Sequence, residues 1–442
     1  MPSNSNSYTE AYVWIWLPGE TEPVVAGRLQ AEEDSTGVTL HFNYGQSYLE
    51  RDNAIAIYAP ELPLQAGELP LLPGLSMPNS IRDGAPDAWG RRVIINRKMG
   101  LKGKDVDDTQ LDELTYLLES GSDRIGALDF QRSPTEYIPR SPKNASLDEL
   151  LEAATLVEQG VPLTPELDQA LHHGSSIGGA RPKALIEDHD KKYVAKFSAS
   201  TDTYSMVKGE FIAMRLAEKV GLNVAPVTLK KASGKDVLLI ERFDRELSPN
   251  GWQRKSMVSA LTLLELDEMM ARYASYEDLA EMVRHRFTNA TDTLKELFGR
   301  IVFNILTGNT DDHARNHAAF WDGEMLTLTP AYDLCPQGRS GNEASQAMLI
   351  SGQNRMSHVS ACLEAAHLFQ LTPEGAATVI KKQIIGIGEN WAATYDAAEL
   401  TETDRKLFWG RQFLNTFAFA DLDGEHAHLR ELADQVRAEY RF

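Results

Sequence analysis

The segment Asn309-Thr-Asp-Asp-His-Ala-Arg-Asn316, followed by Asp333 in Thr329-Pro-Ala-Tyr-Asp333, constrains the fold more than any other stretch. Asp311, Asn316 and Asp333 carry oxygen on short side chains. To act as one set they must converge on a rigid frame. Two of them can share a hard divalent cation through oxygen, while Asp311 stands free to accept a proton from a hydroxyl. This is the spacing by which kinases hold a hydroxyl and Mg²⁺-ATP together. Phosphoryl transfer asks little covalent chemistry of a protein, so a few well-placed oxygens suffice.

The rest of the chain supports a two-part architecture. Tyr12–Leu17, Val24–Leu29, Val38–Phe42 and Ala54–Ala59 read as strands by their β-branched and aromatic content. Apolar residues return at helical spacing in Ala88–Lys98 and Leu111–Leu118. Ser146 with Glu149 makes a capping box that opens a helix through Val157. Between Lys183 and Phe243 the pattern is strand, strand, helix, strand, strand. The remainder is mostly helical, including Ala260–Leu266, Tyr276–His285, Leu294–Leu306, Leu407–Ala418 and Ala427–Tyr440, interrupted by a β-pair at Ala319–Trp321 and Leu326–Thr329. This predicts three segments: an N-terminal α+β subdomain over 1–140, a β-rich nucleotide-binding part over 141–245, and a helical lobe over 246–442 that carries the metal-binding loop. Their order is that of a two-lobed kinase fold of the α+β class.

Composition narrows the function. A net charge of −20 disfavours unaided binding to nucleic acid, whose phosphates reward a basic surface. The two cysteines, Cys335 and Cys362, suit a reducing compartment and supply no cysteine zinc site. The polar N-terminus lacks the apolar core of a signal peptide, and no apolar run is long enough to cross a bilayer, so a cytoplasmic location is expected.

Outside the Asp311 loop, Gly174-Ser-Ser-Ile-Gly-Gly-Ala-Arg-Pro-Lys183 has glycines that let backbone amides approach phosphate oxygens, although no Gly-Lys-Ser/Thr closes it. Read as an ordinary flexible connector, it fits equally well. Lys196, amid apolar strand residues, is placed like the lysine that holds a nucleotide's phosphates, with Glu210 on the next helix as candidate partner. Leu238-Leu-Ile-Glu-Arg-Phe-Asp-Arg245 reads as a strand running into an interlobe hinge, with backbone near Glu241 to Phe243 meeting an adenine, and equally well as a plain strand with exposed charge and one buried Phe. His313 and His317 have the four-residue spacing of a helical metal site, so a transition-metal hydrolase using Asp311, His313, His317 and Asp333 competes. Asn316 argues against it, being a poor zinc ligand but natural for Mg²⁺.

Taken in order, Ser176-Ile-Gly-Gly-Ala-Arg-Pro-Lys183, Val194-Ala-Lys-Phe197, Ile240-Glu-Arg-Phe-Asp244, Thr310-Asp-Asp-His-Ala-Arg-Asn316 and Leu328-Thr-Pro-Ala-Tyr-Asp333 resemble the HipA family of bacterial toxin serine/threonine kinases. Asn79-Ser-Ile-Arg-Asp-Gly-Ala-Pro-Asp-Ala-Trp-Gly90 and Gly121-Ser-Asp-Arg-Ile-Gly-Ala-Leu128 extend the likeness over nearly the whole chain. The resemblance implies an ATP- and Mg²⁺-dependent protein kinase with Asp311 as base and Asn316 and Asp333 on the metal. It places Ser176, Ile177, Gly178, Gly179, Ala180, Lys183, Lys196, Glu210, Glu241, Phe243 and Asp244 at the nucleotide. It makes Ser176 the autophosphorylated serine, with Ser175 as a second candidate. It also implies a HipB-like helix-turn-helix antitoxin that supplies DNA binding, and a substrate such as an aminoacyl-tRNA synthetase. A small-molecule phosphotransferase and a catalytically silent co-repressor remain the alternatives.

Overall fold

The computed structural model describes residues 8–35, 37–99, 111–140, 145–171, 176, 179–200, 202, 204–339, 341 and 343–439. Within these the α+β chain divides into two compact units. The first comprises Met1–Thr201, Lys230–Val258 and Phe320–Glu324; the second comprises Asp202–Leu229, Ser259–Ala319 and Met325–Phe442. Among the described residues no helix is long and apolar enough to cross a membrane.

The first unit begins with a five-stranded antiparallel sheet. It is built from β1 (Glu10–Ile15), β2 (Val24–Asp34), β3 (Gly37–Tyr44), β4 (Glu68–Leu69) and β5 (Leu128–Gln131) in the order β4-β3-β2-β1-β5. Alternate residues, Ala11, Val13 and Ile15 on β1 and Leu40, Phe42 and Tyr44 on β3, enter one core, as the two-residue period of a strand dictates. The strand expected at Ala54–Ala59 is absent. Its polar backbone is satisfied by side chains instead of a ladder: the Ile55 carbonyl accepts from the Tyr48 hydroxyl, and the Ile57 N–H donates to the Tyr44 hydroxyl. The Ala56 carbonyl likewise accepts from the Trp321 indole.

A second sheet follows in the order β6-β7-β9-β8, with β6 at Lys183–Asp188, β7 at Lys191–Phe197, β8 at Val227–Ala232 and β9 at Lys235–Glu241. One face packs on helices α1 (Ala88–Met99), α2 (Leu147–Glu158) and α3 (Pro165–Leu171) through Ala184, Ala195, Phe197, Val237 and Leu239. The box expected at the start of α2 is formed: the Ser146 hydroxyl accepts from the Glu149 N–H, and the Glu149 carboxylate accepts from the Ser146 N–H. A short hairpin, β10 (Arg245–Ser248) and β11 (Gly251–Arg254), follows.

The second unit is helical. Helix α4 (Met206–Val220) belongs to it, although the sequence groups that helix with the β-rich segment. Its frame is α5 (Tyr276–Arg286), α6 (Ala290–Thr307), α7 (Pro373–Ala397) and α8 (Ala427–Glu439). The apolar stripe of α6, with Leu294, Leu297, Phe298, Ile301, Val302 and Ile305, is fully enclosed. The single helix expected over Leu407–Ala418 is instead Glu402–Phe408 plus a 3-10 turn at Thr416–Phe419. Gly410 and Leu414 both take left-handed φ, and the Leu414 N–H leaves the helical pattern to bond the Leu306 carbonyl.

Candidate functional site

The expected catalytic residues occupy one corner of the helical unit. Helix α6 ends at Gly308, whose φ of 70° only glycine adopts at low cost, and a Cβ there would stand 2.8 Å from the Gln412 carbonyl oxygen. The chain therefore turns sharply into Asn309–His317. The Asn309 N–H returns to the Asn304 carbonyl at 2.9 Å, and its side-chain amide donates to Asn304 Oδ1 at 3.0 Å. The Ala347 N–H holds the Thr310 carbonyl and the Ala260 N–H holds the His317 carbonyl. Both ends of the loop are pinned.

Consecutive aspartates point into opposite environments. Asp311 faces solvent, whereas Asp312 is buried. The pKa of Asp311 is raised, first by desolvation and also by the negative charge of Asp333, with nearby His313 acting in the lowering direction. The amide of Asn316 donates through Nδ2 to the Asp311 carbonyl at 3.2 Å, which leaves Oδ1 as the atom for a cation. Asp333 has a φ of 58°, a left-handed conformation that aspartate tolerates better than most residues. Its segment is fixed on both sides. The Tyr332 hydroxyl donates to the Arg315 carbonyl at 2.7 Å, and the enclosed Arg300 guanidinium donates to the carbonyls of Thr329 at 2.8 Å and Asn223 at 3.2 Å.

Two carboxylates whose charges disfavour each other, beside an amide oxygen, are a donor set that Mg²⁺ suits. The alternative transition-metal set does not form. His313 and His317 cap opposite ends of the 3-10 turn Ala314–Asn316 instead of sharing a helical face. The His317 Nε2 is hydrogen-bonded to Asp312 at 2.9 Å. Among the described residues, the one grouping of three His, Cys, Asp or Glu ligand atoms is Glu32, His41 and Glu68 on the N-terminal sheet.

The expected nucleotide residues fall on the first unit, apart from Glu210, which is buried on α4. Antiparallel register sets Lys183 directly opposite Lys196, and Lys196 opposite Leu238. Since Ala184, Ala195 and Leu239 face the helices, alternation puts both lysines on the other face, beside Leu185, Val194, Leu238 and Ile240. Two buried ammonium groups over an apolar strip fit a polyphosphate attached to a flat heterocycle.

Ser175, Ile177 and Gly178 lie outside the described residues; Ser176, Gly179 and Ala180 are held as follows. Ser176 is buried, and its Oγ donates to the Asp123 carbonyl at 3.1 Å. The Gly179 N–H donates to Asp87 Oδ2 at 2.7 Å, and its carbonyl accepts from the Trp89 N–H at 3.1 Å. The Trp89 indole reaches the Lys183 carbonyl at 3.0 Å, while Ala180 is exposed. The N-terminal Pro86-Asp-Ala-Trp89 run thus acts as a dock for this loop, a role that the local sequence pattern does not disclose.

At the expected hinge, Glu241 turns its carboxylate to Lys191 at 2.6 Å, and Phe243 packs edge-on against Phe320. The expected nucleotide contact of Asp244 gives way to another arrangement. Its carboxylate is enclosed and accepts from Arg242 at 2.7 and 2.9 Å, from Arg245 at 3.0 Å and from the Gly126 N–H at 2.8 Å. Burial pushes its pKa up, but Arg242 and Arg245 outweigh that and hold it at about 2. Asp123 joins the same network with Arg242, Arg245 and Lys192, which bring its pKa well below the usual range despite burial. Beside it, burial lowers the Arg124 pKa to about 10 even though Arg124 pairs with Asp129 at 2.9 Å. The Gly121–Leu128 motif and the Glu241–Arg245 motif, distant in sequence, are thus two halves of one ion cluster.

Known protein families match most of this chain. Residues 16–131 match the HipA N-terminal domain and residues 175–391 the HipA-like C-terminal domain, together well over half of the chain. A Sinorhizobium fredii protein described as "Putative kinase Y4mE" is 27% identical over 321 residues, 66% of this chain and 71% of its own. The serine/threonine-protein kinase toxin HipA of Shewanella oneidensis is 26% identical over 183 residues, 36% of this chain and 42% of its own. In solved structures, a chain of the Shewanella oneidensis complex of HipA, HipB and operator DNA shares the fold, with a TM-score of 0.63 at 18% identity and 97% coverage of both chains. The chain belongs to the HipA family, with the kinase-like α+β fold of its relatives.

Proposed function

We propose that this protein is an ATP- and Mg²⁺-dependent serine/threonine protein kinase that acts as the toxin of a toxin–antitoxin pair. The observation that carries the reading is the joint placement of Asp311, Asn316 and Asp333 on one pinned loop system, with the Asp311 carboxyl raised by desolvation and by Asp333. In this reading Asp311 accepts the proton of the acceptor hydroxyl, and Asn316 and Asp333 hold Mg²⁺. When bound, the ion neutralises charge on the transferring phosphoryl group. Lys183 and Lys196 offset the phosphate charge, and the backbone of Glu241–Phe243 receives the adenine.

Ser176 is the proposed autophosphorylation site. Its hydroxyl is enclosed and donates to a carbonyl, which a phosphoester cannot do, so the modified residue has to leave its seat. The phosphorylated protein is expected to bind ATP more weakly; equal affinity in both forms would defeat this part of the reading. A HipB-like antitoxin is the proposed partner, supported by the HipA–HipB–operator complex of the structural relative. That partner would supply contact with DNA, which suits a chain of net charge −20. A translation component such as an aminoacyl-tRNA synthetase is the proposed substrate.

The test is incubation with γ-labelled ATP and host lysate, comparing the parent with Asp311→Asn. The parent is expected to label protein, and the variant to bind ATP normally without transferring label. Undiminished labelling by the variant removes Asp311 from the base role, and label confined to small molecules redirects the reading to a small-molecule phosphotransferase.

A further inference from the structure

We infer that Asp312 is a positioning residue: a buried anionic hub that sets the loop carrying Asp311 and Asn316, and with it the rate of transfer. The inference rests on the reading of Asp311 as the base. One oxygen, Oδ2 of Asp312, accepts from the Tyr276 hydroxyl at the start of α5, from Asn304 Nδ2 at 2.7 Å in the last turn of α6, and from His317 Nε2 at 2.9 Å at the far end of the loop. Asn309, at the loop's entry, is bonded to the same Asn304. The Tyr276 ring also meets the His317 ring edge-on, with centroids 5.4 Å apart. Loop exit and two helices therefore meet at a single carboxylate oxygen, one residue from the proposed base, and Asn304 also ties in the loop entry.

This choice of residues is costly for stability alone. The Asp312 side chain is 2% exposed, and its hydrogen-bond partners are a phenol, an amide and an imidazole. Apolar side chains of the same volume usually serve a core as well as or better than a buried charge. What the carboxylate supplies is direction. Three donors aimed at one oxygen allow the backbone at Asp312 a single placement, which forces the preceding side chain, Asp311, toward solvent. An error of about 1 Å in such a placement can lower turnover on the order of a hundredfold.

The test uses the full-length protein and three variants. Asp312→Ala removes the hub, Asp312→Asn keeps an acceptor oxygen without the charge, and Tyr276→Phe deletes one donor at nearly constant volume. For folded protein, Asp312→Ala is expected to lower label transfer about tenfold to a hundredfold, with KM for Mg²⁺-ATP within about twofold of the parent. Asp312→Asn restores most of that loss, and Tyr276→Phe falls between. Amide hydrogen exchange over residues 309–317 rises in Asp312→Ala and Tyr276→Phe. Transfer by folded Asp312→Ala within twofold of the parent overturns the inference. So does unchanged exchange in Tyr276→Phe, a measurement that needs neither turnover nor the more disruptive variant. Full transfer by Asp311→Asn would instead refute the base assignment and leave the exchange result standing, so the two failures are distinguishable.

Discussion

The ion cluster of the first unit yields a prediction whose size can be worked out from its contacts. In Asp123→Asn the side chain keeps its shape and loses its charge. Asp123 accepts from Arg242 at 3.0 Å and from Arg245 at 2.8 and 3.0 Å, and those two side chains are only 2% and 1% exposed. After substitution both guanidinium groups depend on Asp244 alone, which leaves one enclosed positive charge without a counterion. Lys192 suffers less, because it retains Glu187 at 3.2 Å. Leaving one buried charge uncompensated costs about 3–5 kcal/mol. Asp123 is 23% exposed and water can reach part of the vacated site, so the lower end, about 3 kcal/mol, applies. For a unit of roughly two hundred residues this lowers its melting transition by about 6–12 °C. Differential scanning calorimetry of the variant and of Glu33→Gln, an exposed loss of equal charge, measures it. A shift in Asp123→Asn no larger than that of Glu33→Gln would refute the claim that this cluster holds the unit together.

Three further outcomes follow from the same geometry. Gly308→Ala should destabilise the helical unit by about 1–3 kcal/mol, because it combines left-handed backbone with a clash against the Gln412 carbonyl. In Gly424→Ala, at similar φ with nothing within 4 Å, urea unfolding should show the smaller loss. The carboxylates of Asp123, Asp129 and Asp244 all titrate below their ordinary range in the folded chain, so their contribution is complete above that ordinary range and is lost as pH falls through the lowered pKa of each, about 2 for Asp244. Acid titration followed by near-ultraviolet circular dichroism should show the first unit's loss shifted to higher pH in Asp123→Asn. Lys196→Ala should weaken Mg²⁺-ATP binding at least about tenfold with little loss of fold, read by calorimetric titration; unchanged affinity would remove this lysine from the phosphate site.

Much of the architecture was legible in the chain because it rests on local rules. The box at Ser146 and Glu149 formed where the pair occurs. The strands at Lys183–Asp188, Lys191–Phe197 and Lys235–Glu241 follow their apolar runs, and the left-handed glycine at 308 ends a long amphipathic helix. Helix α7 carries an equally local signal, a Thr372 cap with Pro373 behind it. Ala54–Ala59 shows where the rules fail, since its strand-like composition is overridden by the hydroxyls of Tyr44 and Tyr48.

By itself, then, the sequence named candidate residues for a nucleotide and a metal, and the segment on which each sits. Only the tertiary structure decided how neighbours divide the labour. Asp311 and Asp312 are chemically identical in the chain, yet one meets solvent and the other three buried donors, of which Tyr276 comes from a separate helix. Asp244 likewise passes from expected ligand to structural counterion once Arg242, Arg245 and Gly126 close around it. The reason is physical: an ionisable group's role depends on its desolvation and on the charges within a few ångströms, and both depend on packing that brings Tyr276 to Asp312 and Gly126 to Asp244.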